Sequence, residues 1–527
     1  MVDDSGVKLP AGFDSIEQYA RELVATYKEY TFLPKICIAA FFVSSQWDRV
    51  PEEWRRFFDS PQFDINSLVP MASCGTVPEN APESLKRYID ATFRLRFPRD
   101  PAPAQDGGQT KIVEFFLDGM SGKKHKEVVE LSQLIDSVAK ETGSRLVVDV
   151  GAGQGYLSRV LAYSNWLSRL SVLAVDFSEG QKHGAEGFHR SMVKKLKSRR
   201  ARAEGYMWEE GLRERLEHQV LRVDMGNTGE LVSAAQAACQ SRREARWMLC
   251  GLHACGDLSS AILKAFAESD AAAVVLVPCC YNFISEPAPG VETTSQAEPS
   301  TGFPLSQSAF RNVSLGTNAL KTACQATNRW ERDAAGAVGV FKRSYHRALL
   351  QYMMVSHGQL SADDIIPVVG RVKDNDLRAV MTREDVALQL SDIAHDDAGA
   401  GKEFAVYVLA ALDKMQHAWR PTVAQCVECQ REMRHGLQQV AAAWTLMSMA
   451  GPLVESMLVA DRALYLRECC GTDGLVQAFA LFDVVESPRN VVLVAQRADT
   501  TGARRNTKGK GETGSNCCDK KGFLQIV

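Results

Sequence analysis

Neither charge sign predominates in this chain: 61 Lys and Arg face 64 Asp and Glu over 527 residues, a net charge of −3. That excludes a chain cationic throughout, so any nucleic-acid contact must rest on a local cluster of Lys and Arg. A long hydrophobic run is also missing. The longest uncharged stretch, 436–454, contains Gln438, Gln439, Thr445, Ser448 and Pro452, which reads as a buried helix rather than a membrane span. MVDDSGVKLPAGF, at the N-terminus, lacks both the apolar core of a secretory signal and the basic amphipathic character of a transit peptide. LQIV, at the C-terminus, is no prenylation box. The 14 cysteines do not form a disulfide framework, because the pairs 279–280, 469–470 and 517–518 are adjacent in sequence. A reducing compartment, cytoplasmic or nuclear, is expected, with no membrane partner. No internal repeat is visible, and nothing sets an oligomeric state.

What is present is a globular composition, 45% apolar and 24% charged, at a length that allows about three domains. Residues 1–97 read as a helical region, with Phe13, Ile16, Tyr19, Ala20 and Leu23 at helical spacing. Pro and Gly then cluster in FPRDPAPAQDGGQ, which predicts a linker at 98–110. From 111 to 345 the pattern alternates between helices and apolar runs at 145–150, 170–176, 219–224, 247–253 and 271–280. Continuous apolar strands separated by helices predict a doubly wound α/β unit with a parallel sheet covered on both faces. A Pro/Ser/Thr-rich loop (286–301) interrupts this order, and a helical insertion is predicted over 346–474. Two hairpin-like strands within 475–497 are expected to return to the sheet, followed by a disordered tail at 498–527.

The sharpest local feature is VVDVGAGQGYL: an apolar strand ends at Asp149 and Val150, glycines follow at Gly151, Gly153 and Gly155, and a helix opens at Tyr156. Glycines let the backbone approach a ligand, and a helix N-terminus offers free N–H groups. The third glycine falls one place earlier than in the dinucleotide fingerprint, and Asp149 completes the D-x-G-x-G-x-G pattern of S-adenosyl-L-methionine sites. The second strand is expected to end in Asp176, placed to accept from both ribose hydroxyls, and the third in Asp224, placed to meet the adenine amino group. Upstream, Lys123, Lys124, His125 and Lys126 open a helix and stand either near the cofactor carboxylate or on a solvated helix start.

MSGKKHKEVVEL, VDVGAGQGYLSRVLA, GLHACGDLS, VPCCYN, GFPLS and SPRNVVLVA together resemble the methyltransferase-like 25 family, which includes proteins named as ribosomal RNA adenine dimethylase domain-containing. The resemblance extends to about Gln496. It implies a seven-stranded, Rossmann-like methyltransferase domain that uses S-adenosyl-L-methionine, and it implies little about the acceptor. Where the family's first motif often has His, this chain has Lys126.

Acceptor-side residues are expected at the carboxyl ends of strands four and five, which carry His253, Cys255, Asp257, Cys279, Cys280, Tyr281 and Asn282. Three readings stay open. In one, His253 or Asp257 orients a nitrogen or oxygen acceptor and Tyr281 packs against it; HACGD replaces the N/D-P-P-Y/F element of adenine-N6 enzymes. In the second, Cys255 or Cys280 attacks a pyrimidine ring, as in cytosine-C5 enzymes. In the third, His253 and the cysteines pack or bind a metal, although their spacing matches no usual zinc motif and no metal is expected. Cys426 and Cys429 read as structural. The basic run from Arg190 to Arg202 carries Lys194, Lys195, Lys197, Arg199 and Arg200 without an acid, and is either a phosphate-binding patch or a solvated helix face. The expectation is methyl transfer to RNA or protein, RNA being favoured by that run. The alternative from another class is an inactive methyltransferase fold serving as an interaction scaffold.

Overall fold

The computed structural model describes residues 6–101, 116, 119–164, 167–206, 208–209, 211–288, 300–307, 309–365, 372–391 and 398–498. Most of the expected linker, of the 286–301 loop and of the tail lies outside those residues.

Seven strands form one sheet: β1 (Leu146–Val150), β2 (Ser171–Asp176), β3 (Leu216–Val220), β4 (Trp247–Cys255), β5 (Ala273–Cys279), β6 (Leu475–Ala480) and β7 (Val491–Gln496). Their spatial order is β3-β2-β1-β4-β5-β7-β6. The first five are parallel, and β7 runs antiparallel to both β5 and β6. β1 and β5 are buried along their whole length, as strands with helices on both faces must be. β6 alternates between buried and half-buried residues, the pattern of an edge. Its outer side is met by a parallel bridge from Val7, and Lys8 N–H donates to Ala478 O at 2.9 Å. A bridge of this kind covers part of an open edge. The strand order reverses between β1 and β4, which opens a crevice at their carboxyl ends.

Two strands differ from the sequence expectation. β3 ends at Val220, so Asp224 lies in the loop beyond it rather than at the strand end. β4 continues to Cys255 because His253, at φ +60°, is an extra residue: the register with β5 slips between Leu252 and Ala254. The basic segment is two helices, Glu179–Leu196 and Arg199–Ala203, with Ser198 capping the second by accepting from Ala201 N–H at 3.2 Å.

The chain divides into two compact units. One comprises 1–25, 96–314 and 455–527 and contains the sheet; its core runs from Val128 and Leu131 through Val147, Leu161 and Val275 to Val494. The other comprises 26–95 and 315–454, with a helical core around Trp54, Phe58, Tyr88, Phe341, Leu349 and Phe404. This partition differs from the expected boundaries at 97, 346 and 474. Val7 and Lys8 meet β6 at Ala478, and Phe97 N–H donates to Ser456 Oγ at 2.8 Å, so both ends of the N-terminal region belong with the sheet. The stretch between them shares its apolar faces with later helices: Tyr88 Oη donates to Leu446 O at 2.6 Å. Helix Gly436–Cys470 is long and apolar enough to cross a membrane by length and composition, yet 89% of its apolar window is buried inside the protein. Cys426 and Cys429 are buried in the helical unit, where burial pushes both thiols up to about 12.

Candidate functional site

β1 delivers its last residues to the crevice, and the glycine loop turns there. Gly151, Gly153 and Gly155 all have positive φ (+77°, +53° and +66°), a backbone only glycine adopts without strain. Two of them also have a side-chain tip close by, which would have to move aside for a Cβ. A Cβ at Gly151 would lie 2.9 Å from Leu258, and one at Gly155 would lie 2.9 Å from His218. Gly153 differs: no heavy atom lies within 4 Å of where its Cβ would be, so the middle of the loop faces open space. That open cradle above a glycine turn is where a ligand's charged or polar end can reach the backbone.

The three acids expected at the cofactor occupy distinct settings. Asp176, at the end of β2, accepts from Gly153 N–H at 2.9 Å and from Ser178 N–H at 3.0 Å, which ties it to the loop and leaves each oxygen a further acceptor site. Asp149 is buried beneath the loop, accepts from Ser158 Oγ at 2.5 Å, and is pushed up to about 6 by burial, against the lowering effect of that bond. It therefore braces strand against helix rather than facing solvent. Asp224 is half-exposed, and its Oδ1 accepts from Gly226 N–H at 3.0 Å. Sequence reasoning missed Phe177, directly after Asp176 and 73% exposed, an aromatic face beside that acid. It also missed Arg159, a buried guanidinium that donates to Gln154 O at 2.7 Å and pins the glycine loop from below.

The structure separates the basic run at the start of helix Gly122–Thr142. Lys126 pairs with Glu486 at 2.7 Å, and Lys123 lies 3.6 Å from Glu127. Lys124 acts electrostatically on both Asp149 and Cys255, favouring the charged form of each.

On the acceptor side, His253 is held by a residue that its own motif does not reveal. Its Nε2 lies 2.9 Å from Glu127 Oε2, and Ser487 Oγ donates to Glu127 Oε1 at 2.6 Å. Burial alone would raise the Glu127 carboxyl, but the bonds from His253 and Ser487 hold it at about 2. An ionised carboxylate can only accept, so Nε2 of His253 donates in this bond, and in the neutral imidazole that leaves Nδ1 as the acceptor. MSGKKHKEVVEL, GLHACGDLS and SPRNVVLVA each supply one member of this group. The signal lay in their joint presence, since the partners are 126 and 360 residues from Glu127.

Other acceptor-side candidates are placed less freely than expected. Asp257 Oδ1 accepts from Ser285 N–H at 2.7 Å, which fixes the turn after β5. Tyr281 is 1% exposed, with Arg489 5.4 Å over its ring, so it packs inward; Phe283, two residues on, is 68% exposed. Cys280 has φ +49° and its thiol receives the Cys279 thiol at 3.5 Å; Cys279 in turn lies 3.2 Å from Cys255. The Cys279 bond, with help from Cys280, His253 and Lys124, brings the exposed Cys255 thiol down to about 6, while Cys279 is driven up as its partner in that bond.

Residues 123–287 match the family described as "Methyltransferase domain". The chain carries a methyltransferase domain. It is 23% identical to mouse (Mus musculus) probable methyltransferase-like protein 25 over 491 residues, covering 73% of this chain and 76% of that protein. The human (Homo sapiens) protein of the same name is 40% identical over 91 residues, 17% of this chain and 14% of its own length. Among solved structures, coclaurine N-methyltransferase bound to N-methylheliamine and SAH aligns over 78% of this chain and 95% of its own, at 11% identity and a TM-score of 0.19. The methyltransferase domain uses S-adenosyl-L-methionine, and the open glycine turn with Asp176 beside it is a donor set that fits this cofactor. A cavity of about 740 Å³ in the helical unit, lined by His346 and Tyr407 among others, contains none of these residues.

Proposed function

We propose that this S-adenosyl-L-methionine-dependent methyltransferase modifies a nitrogen or oxygen atom of RNA. The observation that carries the reading is a basic cavity of about 590 Å³ on the sheet unit, lined by Arg190, Lys194, Lys197 and Arg213 together with His189 and His218. One acid, Glu186, shares it, 4.0 Å from Arg190. Burial and the neighbouring cations push His189 down to about 4, so it is neutral at physiological pH and ready to donate or accept. Four cations around one concavity suit a phosphodiester backbone in a chain whose overall charge is near zero. Phe283 adds a solvent-facing ring near the carboxyl end of β5, a surface on which an unpaired base can stack.

The cofactor supplies an electrophilic methyl group on a sulfonium. Asp176 would accept from the ribose hydroxyls, the exposed Phe177 ring would offer a face to the adenine, Asp224 would take the adenine amino group, and Lys124 would attract the carboxylate end. Asp149 keeps strand and helix in register beneath them. His253, oriented by Glu127, accepts through Nδ1 the proton that the acceptor atom loses. In-line displacement needs little beyond this positioning.

The test is tritiated-methyl transfer into fractionated RNA and protein from cells lacking this chain. Label in RNA, reduced by replacing Lys194 and Lys197 with Ala, is the expected result; label confined to protein removes the RNA reading. The same double variant should lower the salt slope of RNA binding by about 2, one for each phosphate that a lysine no longer neutralises.

A further inference from the structure

We propose that Cys255, Cys279 and Cys280 together bind one zinc ion at the carboxyl ends of β4 and β5. The Sγ atoms of all three lie within 4.8 Å of one another, with 3.2 Å between Cys255 and Cys279 and 3.5 Å between Cys279 and Cys280. Tetrahedral zinc with bonds of about 2.3 Å to thiolates places sulfurs about 3.8 Å apart, within the range these thiols already span. Small shifts bring all three onto one ion.

Two local departures from regular backbone produce the cluster. Side chains alternate along a strand, so neighbours in register share a face. Without the extra residue at His253, Cys255 would pair with Cys280; the slip between Leu252 and Ala254 puts it opposite Cys279 instead. Alternation would then send Cys280 to the other face, but its φ of +49° turns the thiol back toward Cys279. Non-glycine residues at positive φ are costly, and two of them here serve to aim three sulfurs at one point. The thiols have weak alternatives: Cys255 and Cys279 both donate to the single carbonyl of His253, each at 3.3 Å. Softness of the ligands selects zinc over magnesium or calcium. Cys255 is exposed, so the fourth position opens to solvent, as in zinc sites that exchange a ligand.

The site does not depend on the identity of the acceptor. It does change the meaning of the cysteines, because thiolates held by a metal are not nucleophiles for a pyrimidine ring.

The experiment uses the full chain purified without chelator. Elemental analysis should find one zinc per chain, and cobalt substitution should give a thiolate-to-cobalt charge-transfer band with visible bands of tetrahedral intensity. Cys255→Ser, at an exposed position that tolerates a hydroxyl, should weaken zinc binding by at least about 100-fold against a competing chelating dye while far-ultraviolet circular dichroism is unchanged. The Cys255→Ser/Cys279→Ser/Cys280→Ser variant should carry no zinc, whereas Cys426→Ser/Cys429→Ser should keep it. Zinc well below one per chain in the wild type, zinc retained by the triple variant, or a Cys255–Cys279 disulfide found by mass spectrometry in the freshly isolated protein would each overturn the assignment. Methyl transfer is not read in any of these arms, so failure here is separate from failure of the RNA reading.

Discussion

Replacing Glu127 by Gln preserves the shape of the side chain and removes its charge. The carboxyl sits at about 2, against 4.5 for an ordinary glutamate, in a site where the side chain is 3% exposed. At about 1.4 kcal/mol per pH unit, this difference stabilises the fold by about 3 kcal/mol at neutral pH. Because the folded value is the lower one, the stabilisation is complete above the unfolded value of 4.5 and is lost as pH falls through about 2. At pH 3 about 1.4 kcal/mol of it remains. Glu127→Gln should therefore lower the urea midpoint of the sheet unit by about 1 M at pH 7, taking a slope of about 3 kcal/mol per M. The gap should close by more than half at pH 3. Hydrogen exchange of β4 peptides, read by mass spectrometry along the titration, isolates the sheet unit from the helical one. An equal gap at both pH values, or none at pH 7, refutes the charged Glu127–His253–Ser487 arrangement.

Asp149→Asn should have opposite effects on stability and binding. Burial raises this carboxyl from 3.8 to about 6, so its ionisation costs the ligand-free protein up to about 3 kcal/mol at neutral pH. The wild type should lose stability as pH rises from 4 to 6, a slope the variant lacks, while calorimetry shows weaker S-adenosyl-L-methionine binding by the variant. Asp176→Ala removes the charged acceptor of Gly153 N–H and the one proposed for ribose, and calorimetry should show an affinity loss for S-adenosyl-L-methionine of about 2–3 kcal/mol, or roughly 30–150-fold. Gly153→Ala should cost about 1 kcal/mol by thermal denaturation, from backbone strain alone, and Gly155→Ala clearly more, because its Cβ meets His218 at 2.9 Å.

Apolar continuity made β1, β2 and β5 legible, since strands buried on both faces read as unbroken runs. β3 was misplaced because only Leu216 in it is buried, and the edge carries Glu217 and His218 instead of a hydrophobic run. The end of β4 was hidden for another reason: no residue type announces a positive φ at His253, and Ala254 and Cys255 resemble a loop once alternation is lost. The glycines and Asp176 were legible because they are local to the loop. Glu127 was not, since its partners come from β4 and from the turn before β7. The division into units escaped for a similar reason. Helices in 26–95 look alike in sequence whether they pack on one another or on segments more than 250 residues away, as Tyr88 does on Leu446.

The position of β7 bears on how the chain is made. β5 is buried throughout, yet one of its two edges is satisfied only by β7, whose first residue, Val491, follows Cys279 by 212 positions. At about 5–20 residues per second of synthesis, that edge waits about 10–40 s after β5 has left the ribosome. During that interval an apolar strand, AVVLVPC, presents unpaired backbone while the helical unit is still being synthesised. A nascent chain stalled before 491 should therefore be captured by holdase chaperones, and one released after 496 should not.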